Sequence, residues 1–437
     1  MSPEAANNPG PSHRLRHCAA LALLSLCLFS TSTWSYTGEH YELSLRPDFD
    51  QRILHGHARI RLDVRSDPGP VLELPSPALE VARVRLNGDD VPFSRHANGW
   101  RIALARAPAG AAPLWLEIDY LAPASEGLVF GEQHVYTAFH TCQWMPCVGT
   151  DLSRASLAIS LDLPDGYRSV ASGERVADAG TGQRWVENRP YALYTLGFAA
   201  GLFTEVIDIA GNPPLRYLGV NEDAAALRAK FKDSAQMLTF FERKAGLPLP
   251  HPVYTQVLLP GGVAQEASGF ALIGKRALDP ILEDPQEDWV IAHEMAHQWW
   301  GNLITCATWN ELWLNEGVTV FMTAAWKQHR WGEAAYQREL GLARERWQRA
   351  RESGYDKPLG WSGTYPNLST RRAIQYSKGA LFLSTLREEL GEDTFWDGLR
   401  RYSRTNAGRS VSASDLQSAM ESSAGRTLKP LFDAWVY

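Results

Sequence analysis

From Tyr36 to about Phe203 apolar and polar residues alternate with a period of two. In "RIRLDV" (Arg59 to Val64), Ile60, Leu62 and Val64 share one face and Arg59, Arg61 and Asp63 the other. "LWLEIDY" (Leu114 to Tyr120) places Leu114, Leu116 and Ile118 together, and "LAISLDL" (Leu157 to Leu163) does the same with Leu157, Ile159 and Leu161. Asn87-Gly88, between "VRL" and "VPF", is a hairpin signal. Several half-buried strands with turns between them predict an antiparallel β-sheet domain over residues 36–205.

Beyond about Asn212 the period lengthens. "EDAAALRAKFKDSAQMLTFFERKAG" (Glu222 to Gly246) repeats apolar residues at helical spacing and predicts a helix stopped by Gly246. "YTQVLLPG" (Tyr254 to Gly261) predicts a strand, and the remainder is mostly helical. "DPQEDWVIAHEMAHQWWG" predicts a helix from Asp284 to Gly301, with Asp284 as cap, Pro285 in the first turn and Glu287 at the capping-box position. "TWNELWLNEGVTVFMTAAW" predicts another from Thr308 to Trp326, with Thr308 and Glu311 at capping-box spacing. The chain therefore has an α+β pattern: a sheet domain, then a helix-rich domain over residues 206–437.

The helix-rich part carries the chemistry. His293 and His297 are four apart, so both imidazoles can reach one point. Glu294 projects about 100° round the helix and can lie beside that point without being a ligand. A histidine pair on a helix is often structural. Glu316 alters that reading, because the eighteen residues between it and His297 suffice to end one helix and return antiparallel. Glu316 also lies among Trp313, Leu314, Val318 and Phe321, where a carboxylate needs a partner. Two imidazoles and one carboxylate make a His2Glu site for one catalytic zinc ion, its fourth position open to water.

"HEMAHQWWGNLIT" followed by "WNELWLNEGVTVF" closely resembles the zinc aminopeptidases related to aminopeptidase N and leukotriene hydrolase, whose pattern is His-Glu-x-x-His, eighteen residues, then Glu within Trp-Leu-Asn-Glu-Gly. The resemblance covers most of the chain after residue 35, more loosely in the sheet domain, where "WMPCVGTD" is similar to the family's Pro-Cys-x-Asp segment. It implies a thermolysin-like catalytic domain, zinc on His293, His297 and Glu316, and Glu294 as proton acceptor and donor. It also implies a catalytic tyrosine before Lys-Gly-Ala, here Tyr376 of "YSKGA", sixty residues after Glu316. The family binds the substrate's amine with the glutamate of Gly-x-Met-Glu-Asn, on a strand edge that also pairs with the peptide. The corresponding stretch here is "GGVAQEASGFALI" (Gly261 to Ile273), where alignment on the glutamate gives Glu266 and alignment on Gly262 gives Gln265. A second amine-binding group usually comes from the sheet domain, and His140 of "TAFHTCQW" stands near that place. The sequence ends at "LFDAWVY", where relatives continue into a helical C-terminal domain that roofs the cleft. Unless the sequence is a fragment of a longer chain, the cleft is expected to lie open to longer substrates, or to be covered by a partner or second copy of the chain.

Composition narrows the remaining possibilities. At roughly 100–200 residues per domain, 437 residues predict two or three domains. The net charge of −6 and the lack of a dense basic stretch argue against a nucleic-acid partner; a peptide substrate is what the resemblance implies. Arg14, Arg16 and His17 precede a twelve-residue apolar run, Cys18 to Phe29, followed by small polar residues to Ser35. That is the form of a secretory signal over residues 1–35, and the run is short of the roughly 20 residues needed to span a bilayer. Export to a periplasm or beyond the cell is expected, with no stable membrane span after cleavage. The alternative is an uncleaved N-terminal anchor. Removal of the signal leaves Cys142, Cys147 and Cys306; an oxidising compartment allows a Cys142–Cys147 bridge, and Cys306 reads as a free buried thiol.

Three functions stay in view. The first is an exported zinc aminopeptidase. The second is an endopeptidase or narrow-specificity peptidase, because the amine-binding motif is altered. The third is an inactive peptide-binding protein on the same scaffold, which requires a lost ligand or base, whereas His293, Glu294, His297 and Glu316 are all present.

Overall fold

The alternating stretches become the strands of an eight-stranded sheet. Tyr36–Asp48, Ile53–Val64, Leu114–Pro123, Arg154–Leu161 and Gln183–Ala192 are its long members. In Leu114–Pro123 every second residue is buried, Leu116 and Ile118 completely, as the period-two pattern requires. Every neighbouring pair runs antiparallel except Tyr36–Asp48 beside Arg154–Leu161, which is parallel. Asn87 and Gly88 both adopt positive φ, 52° and 93°, and turn Glu80–Leu86 back onto Asp89–Asp90. The partner in that hairpin is Asp89–Asp90, whereas Phe93–His96 pairs with Gly99–Ala103 in a separate three-stranded sheet. This computed structural model describes residues 36–64, 69–104, 113–177 and 182–437. The signal-like segment, residues 1–35, lies outside the described residues.

A second, five-stranded sheet carries one side of the candidate site. Its order is Thr204–Asp208, Leu215–Gly219, Tyr254–Leu259, Phe270–Gly274, Ala264–Ala267. Tyr254–Leu259 and Phe270–Gly274 are buried at every residue, as interior strands covered on both faces must be. Ala264–Ala267 runs antiparallel to Phe270–Gly274 at the margin of the sheet, and among the described residues no strand pairs with its other side.

Three helices expected to be continuous are not. Glu222–Gly246 divides into Ala224–Lys230 and Ser234–Ala245, because Phe231 leaves the helical path to stack on Tyr217 with ring centroids 4.8 Å apart. Gly246 ends the second piece as expected, in the left-handed conformation. The histidine helix is Trp289–Ala296, shorter than Asp284 to Gly301. Asp284 accepts from the backbone N–H of Gln286 (2.9 Å) and forms a turn of its own. The fully buried Asp288 accepts the indole N–H groups of Trp326 (2.7 Å) and Trp331 (3.3 Å) instead of capping its own helix. Thr308 to Trp326 also breaks: a 3-10 turn spans Trp309–Leu314, and an α-helix begins at Glu316 and runs to Trp331. Glu311, expected in a capping box, accepts the backbone N–H of Ala413 (2.7 Å).

One hydrophobic core runs through both regions and includes Trp144, Phe198, Phe270, Trp299 and Trp313. Cys142 and Cys147 form a disulfide, and Cys306 is free and buried. Among the described residues no helix is long and apolar enough to cross a membrane.

Candidate metal centre and its surroundings

Two helices aim three ligand atoms at one point. Nε2 of His293 and Nε2 of His297 are 3.2 Å apart. Oε2 of Glu316 lies 3.2 Å from the first and 3.4 Å from the second, is buried, and makes no hydrogen bond. Four-coordinate zinc with bonds of about 2.0–2.2 Å needs ligand separations of roughly 3.3–3.6 Å. The donor triangle therefore fits zinc with little movement, and an orphaned buried carboxylate oxygen is what an absent cation would leave.

Local structure explains the aim. His297 follows the last residue of its helix, where Nδ1 meets the backbone oxygen of Trp300 at 2.9 Å. That contact fixes the ring and presents Nε2 as the ligand atom. The chain turns away at Gly301, with φ of +127°, and a Cβ there would sit 2.6 Å from His297 Nδ1. Only glycine fits. Glu316 is the first residue of its helix, where the helix dipole favours a carboxylate. Burial raises its carboxyl, but the charge of His297 and the contacts with both imidazoles outweigh that and hold it well below the carboxylate range.

Glu294 is buried, and its Oε2 has no hydrogen-bond partner. Burial raises its carboxyl well above the ordinary value, with His297 opposing and Glu266 and Glu316 adding. So buried a carboxyl holds its proton more readily than an exposed one. Glu266, Glu294 and His297 each offer an atom within 4.8 Å of the others. The strand Ala264–Ala267 thus places Glu266 beside His297 and Glu294. Burial pushes the Glu266 carboxyl up to about 7, with Glu316 adding and His297 opposing.

Gln265 belongs to the same surroundings but plays a different part. Its Oε1 accepts the backbone N–H of Phe139 at 2.8 Å, and its Nε2 donates to Glu266 Oε2 at 3.0 Å. It ties Glu266 to the sheet region. Gln265 and Glu266 line a small, partly open pocket with Thr137, Phe139, Trp144 and Tyr194. His140 takes no part in it, lying half-exposed 3.6 Å from Glu126.

Tyr376 arrives from a π-helical turn, Ala373–Lys378, just before the helix Gly379–Leu390. Its ring lies nearly parallel to that of His293, 12° apart in orientation with centroids 6.3 Å apart. The helix beginning at Glu316 and the one beginning at Gly379 touch through glycine: a Cβ on Gly317 would lie 2.8 Å from the Gly379 Cα. That close approach brings Tyr376 to the centre. Burial raises its hydroxyl well above the ordinary value, and the carboxylates of Glu316 and Glu266 add to the effect.

Several buried polar groups carried no role in the sequence reading. Gln298 accepts the N–H of Gly269 and donates to the carbonyl of Ala267, both at 3.0 Å, and Asn302 donates to that same carbonyl at 2.9 Å. They lock the strand holding Glu266 to the segment holding the histidines. Asn315 donates to the Tyr194 hydroxyl (2.9 Å), which in turn donates to the carbonyl of Gly301 (3.1 Å). Gln298, Asn302 and Asn315 flank the histidines and Glu316 in sequence, and buried amides need partners, so a signal existed for them. Nothing local marks Tyr194.

Residues 229–435 match the peptidase family M1 domain. "Probable aminopeptidase 1" of Saccharolobus solfataricus is 23% identical over 430 residues, 91% of this chain and 53% of that protein. Human "Glutamyl aminopeptidase" is 26% identical over 311 residues, 66% of this chain and 32% of that protein. This chain spans about half the length of the first curated relatives it matches. Among solved structures, an M1 zinc metallopeptidase from Deinococcus radiodurans, bound to a Tyr-Ser-Ala substrate, superposes with a TM-score of 0.76 at 22% identity, covering 92% of this chain and 94% of that one. Native yeast LTA4 hydrolase gives 0.77 at 21% identity, covering 92% and 68%. Both have the same α+β fold.

Proposed function

We propose that this chain, which belongs to the M1 peptidase family through residues 229–435, is a zinc aminopeptidase that removes N-terminal residues from peptides. The observation that carries the reading is the closeness of Glu266 to His297 and Glu294, within 4.8 Å. A carboxylate so near the metal-holding histidine can accept a peptide's ammonium only if the scissile bond is the first one. The altered motif around it, with Gln265 before and Ala267 after, leaves that carboxylate in reach.

His293, His297 and Glu316 would hold zinc, which when bound polarises a carbonyl and makes water a nucleophile at neutral pH. Glu294 takes a proton from the attacking water and returns it to the leaving amine, acting first as general base and then as general acid. Tyr376 donates its hydroxyl hydrogen to the carbonyl oxygen as negative charge develops there. Glu266 fixes the amino end. Gln265 holds Glu266 and ties it to the backbone of Phe139. The indole of Trp144 and the ring of Phe139 line the pocket beside Glu266.

The reading places the catalytic part at residues 206–437, the sheet domain at 36–205, and the protein outside the cytoplasm. The Cys142–Cys147 bridge supports export, since such bridges persist in oxidising compartments. Digestion of matched free-amine and N-acetylated peptides, with and without chelator, tests the activity. Cleavage of the free-amine peptide only, abolished by chelator, is expected. Equal cleavage of both indicates an endopeptidase, and no cleavage of either indicates a binding protein.

A further inference from the structure

An amine acceptor is only as well placed as the strand that carries it. Glu266 lies two residues before Ser268, where the turn Ser268–Gly269 returns Ala264–Ala267 onto Phe270–Gly274. The histidine segment holds that turn through Gln298 and Asn302. The sheet region holds it as well, through a buried cluster that the chemistry above does not use.

The cluster is Glu187, His251 and Ser268, all three buried. Glu187 belongs to the strand Gln183–Ala192 of the eight-stranded sheet. Its Oε1 accepts the backbone N–H of Arg189 at 3.0 Å. Its Oε2 accepts the Ser268 hydroxyl at 3.1 Å and lies 2.6 Å from Nε2 of His251. Ser268 Oγ is 3.1 Å from the same Nε2, so the three side chains meet. The backbone N–H of Ser268 donates to the carbonyl of Thr195 at 2.9 Å. The His251 ring stacks on Tyr191 with centroids 5.7 Å apart, and it also lies against Gly269, where a Cβ would sit 3.3 Å from its Cδ2.

Such a cluster can simply stabilise the contact between two regions. Apolar packing does that without the desolvation penalty of a buried carboxylate. What hydrogen bonds to a charged group add is strength and direction. Here they converge on one turn residue, two positions from Glu266. A carboxylate that must meet an ammonium at hydrogen-bond distance depends on that support, since a shift of about 1 Å can cost on the order of 10²-fold.

We propose that Glu187 is a positioning residue for the amine site: with His251 it fixes Ser268 and Gly269, and through them it sets where Glu266 meets a peptide's ammonium. The proposal rests on the aminopeptidase reading above.

The zinc-loaded full chain and its Ser268→Ala, Glu187→Ala and Glu187→Gln variants are assayed on Leu-Gly-Gly and N-acetyl-Leu-Gly-Gly. Zinc content and Tm are measured alongside. Calorimetry gives Kd for leucinol, which has the amine and no bond to cut, and for acetohydroxamate, which addresses the metal and has no amine. Ser268→Ala removes one hydroxyl and is expected to raise KM for Leu-Gly-Gly and Kd for leucinol about fivefold, with kcat, zinc content and the acetohydroxamate Kd unchanged. Glu187→Ala raises both about tenfold, and Glu187→Gln, which keeps an acceptor, restores part. A cluster with a structural role alone lowers Tm and leaves KM and the leucinol Kd of the folded enzyme unmoved, and that result overturns the proposal. So does failure of Ser268→Ala to fold, loss of zinc, a fall in kcat with KM intact, or an equal rise in Kd for both ligands. A wild type that cleaves neither peptide, or both equally well, removes the aminopeptidase reading and the proposal with it.

Discussion

The donor triangle and the wall that faces it are built in different ways. The triangle comes from residues close in sequence on two packed helices, with His293 and His297 one turn apart and Glu316 at the start of the next helix. The wall comes from segments far apart. Phe139 reaches Gln265 across 126 residues, and Asn315 reaches Tyr194 across 121. Helix geometry alone specifies the first; only the whole fold specifies the second. Chemistry and selectivity should therefore fail separately when each is disturbed.

The largest effects test the triangle. Glu316→Ala should lose both bound metal and activity, while Glu294→Ala should keep the metal and lose turnover by about 10³–10⁴-fold, read by metal content beside kcat. Retained turnover in Glu294→Ala would remove that residue from the chemistry. Next comes Tyr376→Phe, expected to lower kcat by roughly 10²-fold with little change in KM. A change confined to KM would assign the tyrosine to binding. On the wall, Glu266→Ala should cut the preference for free-amine over N-acetylated peptides by about 10²-fold, the order expected when a buried charge loses its partner. Its metal content should not move, and loss of zinc in this variant would erase the distinction between the two regions. Smallest is the double variant Cys142→Ser and Cys147→Ser. Opening so short a loop costs about 2 kcal/mol, seen as a lower Tm, with the metal retained.

The same division explains what was legible in the sequence. His293, Glu294, His297 and Glu316 were visible because i, i+4 spacing and a helical return are local properties. Helix limits were less so. Asp284, Thr308 and Glu311 all had the right spacing for caps, yet Glu311 bonds Ala413 and the neighbouring Asp288 bonds two tryptophans, so distant partners replaced local ones. The position of the strand Ala264–Ala267 came from the family resemblance, through the stretch Gly261 to Ile273. The choice between Gln265 and Glu266 was open in the sequence, since adjacent strand residues face opposite ways and the sequence does not say which face looks at the histidines. In the fold Glu266 gathers with His297 and Glu294, and Gln265 bonds Phe139. His140 looked suitable by position and turned outward to Glu126.

The strand Ala264–Ala267 leaves one side without a partner strand among the described residues. What it can present to a guest there is main chain, which is identical for nearly every residue type. A peptide shortened by one residue offers that ladder the same rungs as its parent. Under the proposed aminopeptidase activity, trimming would proceed step after step along a changing sequence and would stop at proline, whose missing N–H removes a rung.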